Sequence, residues 1–374
     1  MGLIKEPKYT YRDVTIIPAN TSYIEHREEC NPFYSNGMLP LFTAPMDTVV
    51  DNKNFTKFIE NKINGIMPRT IPFQTRTEYA INGIWSAFSL KEFEKLFCDI
   101  NKEIATQNKI YALIDVANGH MNKILELSSR AKEIYGDNIV IMAGNIANPE
   151  AYLEYSKVGI DYVRCGIGSG FGCLSTSNTG VHWPMASLID DVKKLKISVQ
   201  HWHDQSGSIY KSVPKIIADG GIRGYSDIIK ALALGADYVM IGSVFAKMLE
   251  SAAEKSCDMF NKLDVTDGKF TVDKWFQWRV DRENEGATLG HIYSTFYGMA
   301  SREGQIALSG KKTKTSEGVM KKIQVEYTMQ GWTENFIDYL RSAMSYTNNK
   351  TLEQFINETN LTVNSQNAVD VVNK

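Results

Sequence analysis

Two glycine-rich stretches hold the residue types best suited to chemistry. The first, Cys165-Gly-Ile-Gly-Ser-Gly-Phe-Gly-Cys-Leu-Ser-Thr176, sets Gly166, Gly168, Gly170 and Gly172 at alternate positions and ends on Cys173, with a hydroxyl at Ser175. Closely spaced glycines let backbone amides approach an anion or a flat ring. A cysteine on such a loop is open to activation as a thiolate nucleophile. No Gly-Lys-Ser/Thr follows, so this is not a Walker loop. Cys165 falls on an apolar run and is expected to be an ordinary buried thiol. The second stretch pairs Asp219-Gly-Gly-Ile-Arg223 with Ile241-Gly-Ser243. Glycines after two successive late strands of a barrel build a phosphate site; elsewhere they make tight turns. Asp219 suits a ribose diol, because a carboxylate accepts two hydroxyl hydrogen bonds. His201 and His203 sit in a polar segment and are expected to be solvated rather than metal ligands. This chemistry requires no metal.

These residues need elements to place them. Short apolar runs are expected to be strands at Leu41–Ala44, Gly65–Met67, Ile84–Ala87, Tyr111–Asp115, Ile139–Ala143, Tyr162–Cys165, Ile216–Ala218 and Tyr238–Ile241. Helices are expected between them at His120–Tyr135, Pro149–Val158, Pro184–Lys194 and Ser226–Leu234. Continuous apolar strands alternating with helices predict a parallel sheet covered by helices. That pattern alone allows an open doubly wound sheet or a closed (β/α)8 TIM barrel of the α/β class. Several strands end in a polar or glycine-rich cluster, and only a closed barrel gathers such ends on one face. The expectation is therefore one barrel domain over residues 1–355. Residues 195–213 and 256–322 are expected as insertions, with a mobile flap in Gly310–Lys322 beside the barrel mouth. A polar tail is expected over 356–374.

Composition narrows the function classes. The 374 residues carry 41 basic and 43 acidic side chains, a net charge of −2. A dominant nucleic-acid surface needs a basic excess, and there is none. Five cysteines without Cys-x-x-Cys spacing argue against a disulfide framework and a structural zinc site. The first residues lack the apolar run of a signal peptide, and no apolar stretch is long enough for a membrane helix. A cytoplasmic enzyme with reduced thiols is the expectation.

The motifs in this order resemble the inosine monophosphate dehydrogenase and guanosine monophosphate reductase family, from Tyr11-Arg-Asp-Val14 to about Phe355. The resemblance is carried by Ala44-Pro-Met-Asp-Thr-Val49, Asp115-Val-Ala-Asn-Gly119, Gly144-Asn145, Arg164-Cys-Gly-Ile-Gly168 with Cys173, Ala218-Asp-Gly-Gly-Ile222, Gly235-Ala-Asp-Tyr-Val-Met-Ile-Gly-Ser243, Tyr297-Gly-Met299 and Ser316-Glu-Gly318. It implies that Cys173 attacks C2 of a purine nucleotide, with Ser175 and Glu303 as the acid–base pair. On the substrate it implies Asp219 for the ribose, and Gly220, Gly221, Gly242 and Ser243 for the phosphate. Met46, Gly172, Tyr297, Gly298 and Met299 would lie about the base. Asp115, Asn118, Gly166 and Gly168 would face a nicotinamide cofactor. A homotetramer is implied as well.

Within the family the chain looks more like the reductase. The short stretch from Pro68 to Asp115 lacks the regulatory domain pair that most dehydrogenases insert, and no Arg-Tyr pair occurs in Ala300–Lys322. The implied reaction is NADPH-dependent conversion of GMP to IMP and ammonia. Two alternatives stay open: NAD-dependent oxidation of IMP, with a monovalent cation at the Gly166–Cys173 loop, and an inactive purine-nucleotide-binding barrel. The sequence departs from the family at Ser175, where threonine is usual. Arg302 takes the glutamate's place, with Glu303 one residue later. Phe171 stands where the family has a phosphate-binding serine, and Met185 replaces a glutamine. These changes leave open a modified, deoxy or unphosphorylated purine as substrate.

Overall fold

The computed structural model describes residues 5–99, 104, 108–257, 260–263, 291–310, 315–365 and 368–369. Its centre is a parallel sheet of seven strands in the order Leu41–Thr43, Tyr238–Ile241, Lys215–Asp219, Tyr162–Cys165, Ile139–Ile146, Ile110–Asp115 and Ser86–Phe88. The ring closes through the predicted segment Gly65–Met67. It is too short to form a strand of its own, but single parallel bridges join Asn64 to Phe42 and Met67 to Ser86. The (β/α)8 barrel is the observed fold.

Strand periodicity decides what faces the barrel interior. Along Ile110–Asp115, Ala112 and Ile114 pack outward under the helices, while Tyr111 and Leu113 join the inner cluster. Ile216 and Ala218 likewise face out while Ile217 faces in, and Val163 faces out while Tyr162 faces in. The alternation continues to the strand ends. It carries Asp115, Arg164 and Asp219 to the inner face at the C-terminal mouth, and turns Cys165 outward into the core. Below the mouth the barrel is filled by rings; Trp85 meets Tyr162 edge-on at 5.2 Å and Phe42 at 6.0 Å.

The helices mostly follow expectation, with one large difference. Asn122–Tyr135, Ala151–Lys157 and Tyr225–Ala233 lie within a few residues of their predicted ends. The predicted helix Pro184–Lys194, however, runs on as Met185–His203. Much of the 195–213 insertion is thus helix. Its polar residues are the solvated face of an amphipathic rod that buries Val199 on the other side.

Outside the barrel, strands Lys255–Cys257, Phe260–Leu263, Ile292–Phe296 and Lys321–Gln324 form a small antiparallel sheet. The predicted insertion and flap over 256–322 therefore contain strands. Ile292, Ser294 and Phe296 alternate buried with half-buried neighbours, a pattern that the mixed composition hides. Residues 264–290 and 311–314 of that stretch lie outside the described residues. The predicted tail also departs from expectation. Helix Leu352–Glu358 buries Phe355 and Ile356, and Leu361–Val363 pairs antiparallel with Val14–Ile16. Its partner lies at the other end of the chain, so no local signal announces it.

Candidate active site

A cleft opens at the barrel mouth, between the strand ends and the edge of the small sheet. Asp115, Arg164 and Asp219 line one part of it; Phe171, Gly172, Cys173 and Glu317 line another. Arg164 lies between the two aspartates. Its Nη1 donates to Asp115 Oδ1 at 2.7 Å, and its Nε and Nη2 donate to Asp219 Oδ2 at 3.1 and 2.8 Å. Asn145 Nδ2 adds a bond to the same Asp219 oxygen at 2.7 Å. Burial works against the guanidinium charge, but Asp219 and Asp115 outweigh it and hold the group more firmly protonated than an ordinary arginine.

The loop carrying Cys173 turns through Gly166 and Gly168, both at positive φ. A side chain at either would be driven into neighbours, the Asp219 carbonyl at Gly166 and Thr176 at Gly168. These glycines let the loop fold tightly against the barrel. The loop then pairs with residues 317–319. Leu174 N donates to Glu317 O at 2.8 Å, and Val319 N to Gly172 O at 3.0 Å. This contact brings a carboxylate to the thiol. Cys173 Sγ lies 3.4 Å from Ser175 Oγ, and Ser175 Oγ donates to Glu317 Oε2 at 2.6 Å. A thiol, a hydroxyl and a carboxylate in series can carry a proton away from sulfur and return it to a leaving group.

Among the cysteines with described side chains, Cys173 is half-buried, whereas Cys30, Cys98 and Cys165 are buried. Burial pushes the Cys98 thiol up to about 11, and the Cys165 thiol higher still. Neither is suited to nucleophilic work at neutral pH.

A family model described as IMP dehydrogenase / GMP reductase domain matches residues 101–371. The chain belongs to the IMP dehydrogenase and GMP reductase family. The family comprises purine nucleotide oxidoreductases. A GMP reductase of Clostridium acetobutylicum is 29% identical over 363 residues, 93% of each chain. One from Bacillus subtilis is 32% identical over 262 residues, covering 67% of this chain and 74% of that one. One from Helicobacter pylori is 34% identical over 263 residues, covering 66% and 73%.

Against the family pattern, the structure brings Met46, Gly220, Gly221, Gly242, Ser243, Gly298 and Met299 to the cleft with Cys173 and Asp219. Others fall elsewhere. Glu303 is in the first turn of helix Arg302–Ser309, and Ser175 bonds instead to Glu317. The resemblance points to Glu303, shortly after Tyr297-Gly-Met299; the carboxylate that meets Ser175 comes from Ser316-Glu-Gly318. Gly166 and Gly168 do not line the cleft, since their part is the turn. The Gly221 amide donates to Ser169 O at 3.0 Å, so that N–H is already in use. Tyr297 turns its hydroxyl to Asp47 Oδ2 at 3.0 Å. Asn118 Oδ1 accepts from His120 N at 3.1 Å and lies off the cleft wall.

Arg164 and Asn145 were missed as site residues. The available signal was an arginine in the strand Tyr162–Cys165, otherwise built to be buried. Phe171 lines the cleft but faces the small sheet. Lys321 Nζ sits 3.9 Å from its ring centroid and Phe296 lies 6.3 Å away. Met185 is buried beneath the glycine turns at Gly166 and Gly221.

Proposed function

We propose that this protein is a GMP reductase-type enzyme. It removes the C2 amino group of a guanine nucleotide reductively, with Cys173 as the covalent nucleophile. The observation that carries the reading is the Cys173–Ser175–Glu317 series, whose Cys173 and Glu317 line one cleft with the carboxylates of Asp115 and Asp219. The named relatives are GMP reductases, which favours this direction over oxidation of IMP.

The donor set fits a nicotinamide dinucleotide as second ligand. Asp219 and Asp115 each commit one oxygen to Arg164 and keep the other without a hydrogen bond among the described residues. Two such carboxylates in one cleft suit two ribose diols, one from the nucleotide and one from the cofactor. Asp115 would hold the cofactor. NADPH, when bound, supplies the hydride.

The thiol proton of Cys173 passes through Ser175 to Glu317 as sulfur adds to C2. The C2–N bond then breaks, and the same route returns the proton to the departing amine. Hydride arrives at C2, the C–S bond breaks, and Cys173 leaves as thiolate. The balance is GMP + NADPH + 2 H⁺ giving IMP, NH₄⁺ and NADP⁺. A positioned acid–base group of this kind is worth roughly 10²–10⁴-fold in rate.

Intact-protein mass spectrometry after incubation with GMP tests the reading. The expected result is a nucleotide adduct on Cys173, absent from Cys173→Ala, that is discharged as IMP when NADPH is added. Because Phe171 stands where a serine hydroxyl would meet the phosphate, guanosine and dGMP belong in the same panel. An adduct on Cys165, or NADH formation from IMP with no ammonia from GMP, overturns the proposal.

A further inference from the structure

Among the described residues lining the cleft, Arg164 is the one positively charged side chain, and it is 8% exposed. It is shared between two carboxylates on separate strands: Asp115 ends Ile110–Asp115, and Asp219 ends Lys215–Asp219. Among the described residues, neither aspartate is paired with a second basic side chain. A planar guanidinium holds its donors in a fixed fork, so its two sides cannot move independently. Shifting one carboxylate therefore turns the group that orients the other. Leaving either partner alone is also unfavourable at this depth, because an unpaired buried charge is strongly disfavoured. The arrangement is a continuous carboxylate–guanidinium–carboxylate chain, with an acceptor oxygen at each end that no described residue bonds.

We infer that Arg164 is a positioning residue that couples the nucleotide site at Asp219 to the cofactor site at Asp115. The inference rests on the proposed assignment of those two aspartates. A ribose that fixes Asp219 in its bound position fixes Asp115 through the guanidinium. The second ligand then meets a carboxylate already placed, and each ligand tightens the other. Reciprocity is required: whatever factor the cofactor confers on the nucleotide, the nucleotide confers on the cofactor.

Calorimetric titration of GMP with and without saturating NADP⁺ tests this in a state that cannot turn over. In the unmodified protein NADP⁺ should tighten GMP by about fivefold or more, with the same factor in the reverse titration. Arg164→Lys keeps the charge but loses the fork, and should bring the factor below about twofold. Asp115→Asn, which keeps the shape of the residue assigned to the cofactor, should also lower the factor and weaken GMP in the absence of cofactor. Under a purely structural role the variants would bind both ligands more weakly while the factor persisted. That result overturns the inference, as does independent binding of the two ligands to the unmodified protein. If the unmodified protein binds neither ligand, the reading of the site fails, and the inference falls with it.

Discussion

The two halves of the candidate site are built differently. Asp115, Arg164 and Asp219 stand on three barrel strands, the last two adjacent and the first set off by Ile139–Ile146, with side chains 16%, 8% and 17% exposed and joined by direct ion pairs. Cys173, Ser175 and Glu317 come from a glycine-rich loop and a segment 142 residues further on, joined where the small sheet meets the barrel. In the first half the strand alternation that packs the core also aims the charges. In the second, the acid–base series depends on two irregular segments docking by a few backbone hydrogen bonds. On the proposed reading, ligand placement is tied to the stability of the barrel, and reactivity to the docking of residues 317–319 on the loop. Mutations in the two halves should separate binding from turnover.

The strongest way to break that division is at Glu317. Glu317→Gln keeps the shape but removes the proton acceptor, so turnover should fall by about 10²–10⁴-fold. GMP affinity should stay within about threefold, because Asp219, proposed to hold the ribose, stands on a barrel strand. Glu303→Gln should change turnover by less than about threefold. Steady-state kinetics beside equilibrium GMP binding checks both. A larger loss at Glu303 than at Glu317 would return the acid–base role to the residue expected from sequence.

The same division explains what the sequence made legible. Apolar runs such as Ile139–Ala143 and Tyr238–Ile241 are buried on both faces, so composition alone marks them. Asp219 and Cys173 were readable because each adjoins a run of glycines whose type is set by backbone geometry. The role of Glu317 was not readable, because it depends on how an intervening segment folds rather than on spacing. Arg164 is hidden for a different reason: a strand position is identified by its apolar neighbours, and one charged residue among them has no pattern of its own. The strand Leu361–Val363 failed for lack of any local cue, its partner being near the N-terminus.

A second test concerns how the small sheet is anchored. Lys255, in its first strand, is buried, and its Nζ donates to Ser251 O, Ser251 Oγ and Ala253 O at 2.8–2.9 Å. Burial lowers its pKa to about 7, with Glu250 and Asp51 opposing the shift. The folded protein then gives up this proton near pH 7, whereas the unfolded chain keeps it to the ordinary value of 10.5. Between those values the unfolded state binds more protons, so this group's contribution to stability rises with pH and is at its lowest below pH 7. Over the whole window the change is at most a few kcal/mol. Urea unfolding at pH 6.5, 8 and 9.5 should show a steeper rise for the unmodified protein than for Lys255→Met. Equal slopes would mean that this lysine titrates as an exposed one does.

The smallest effect concerns the contact of Phe171 with the small sheet. Lys321 pairs across the strands with Phe296, and both meet the Phe171 ring; Lys321 Nζ also donates to Phe171 O at 3.2 Å. A partly exposed cation–ring contact is worth about 0.5–1 kcal/mol, or roughly two- to fivefold in the docking equilibrium. Lys321→Met keeps the aliphatic stem and removes the charge, so kcat should fall by about that factor for GMP and guanosine alike. A loss confined to GMP would show that the ammonium serves the phosphate instead. The division between halves would then need redrawing, because a residue of the small sheet would be binding substrate. Phe171→Ser separates the cases further: it removes the ring but restores a hydroxyl at the cleft wall. If Lys321 acts through the ring, this variant should lose as much kcat as Lys321→Met, and the two together should lose no more than either alone.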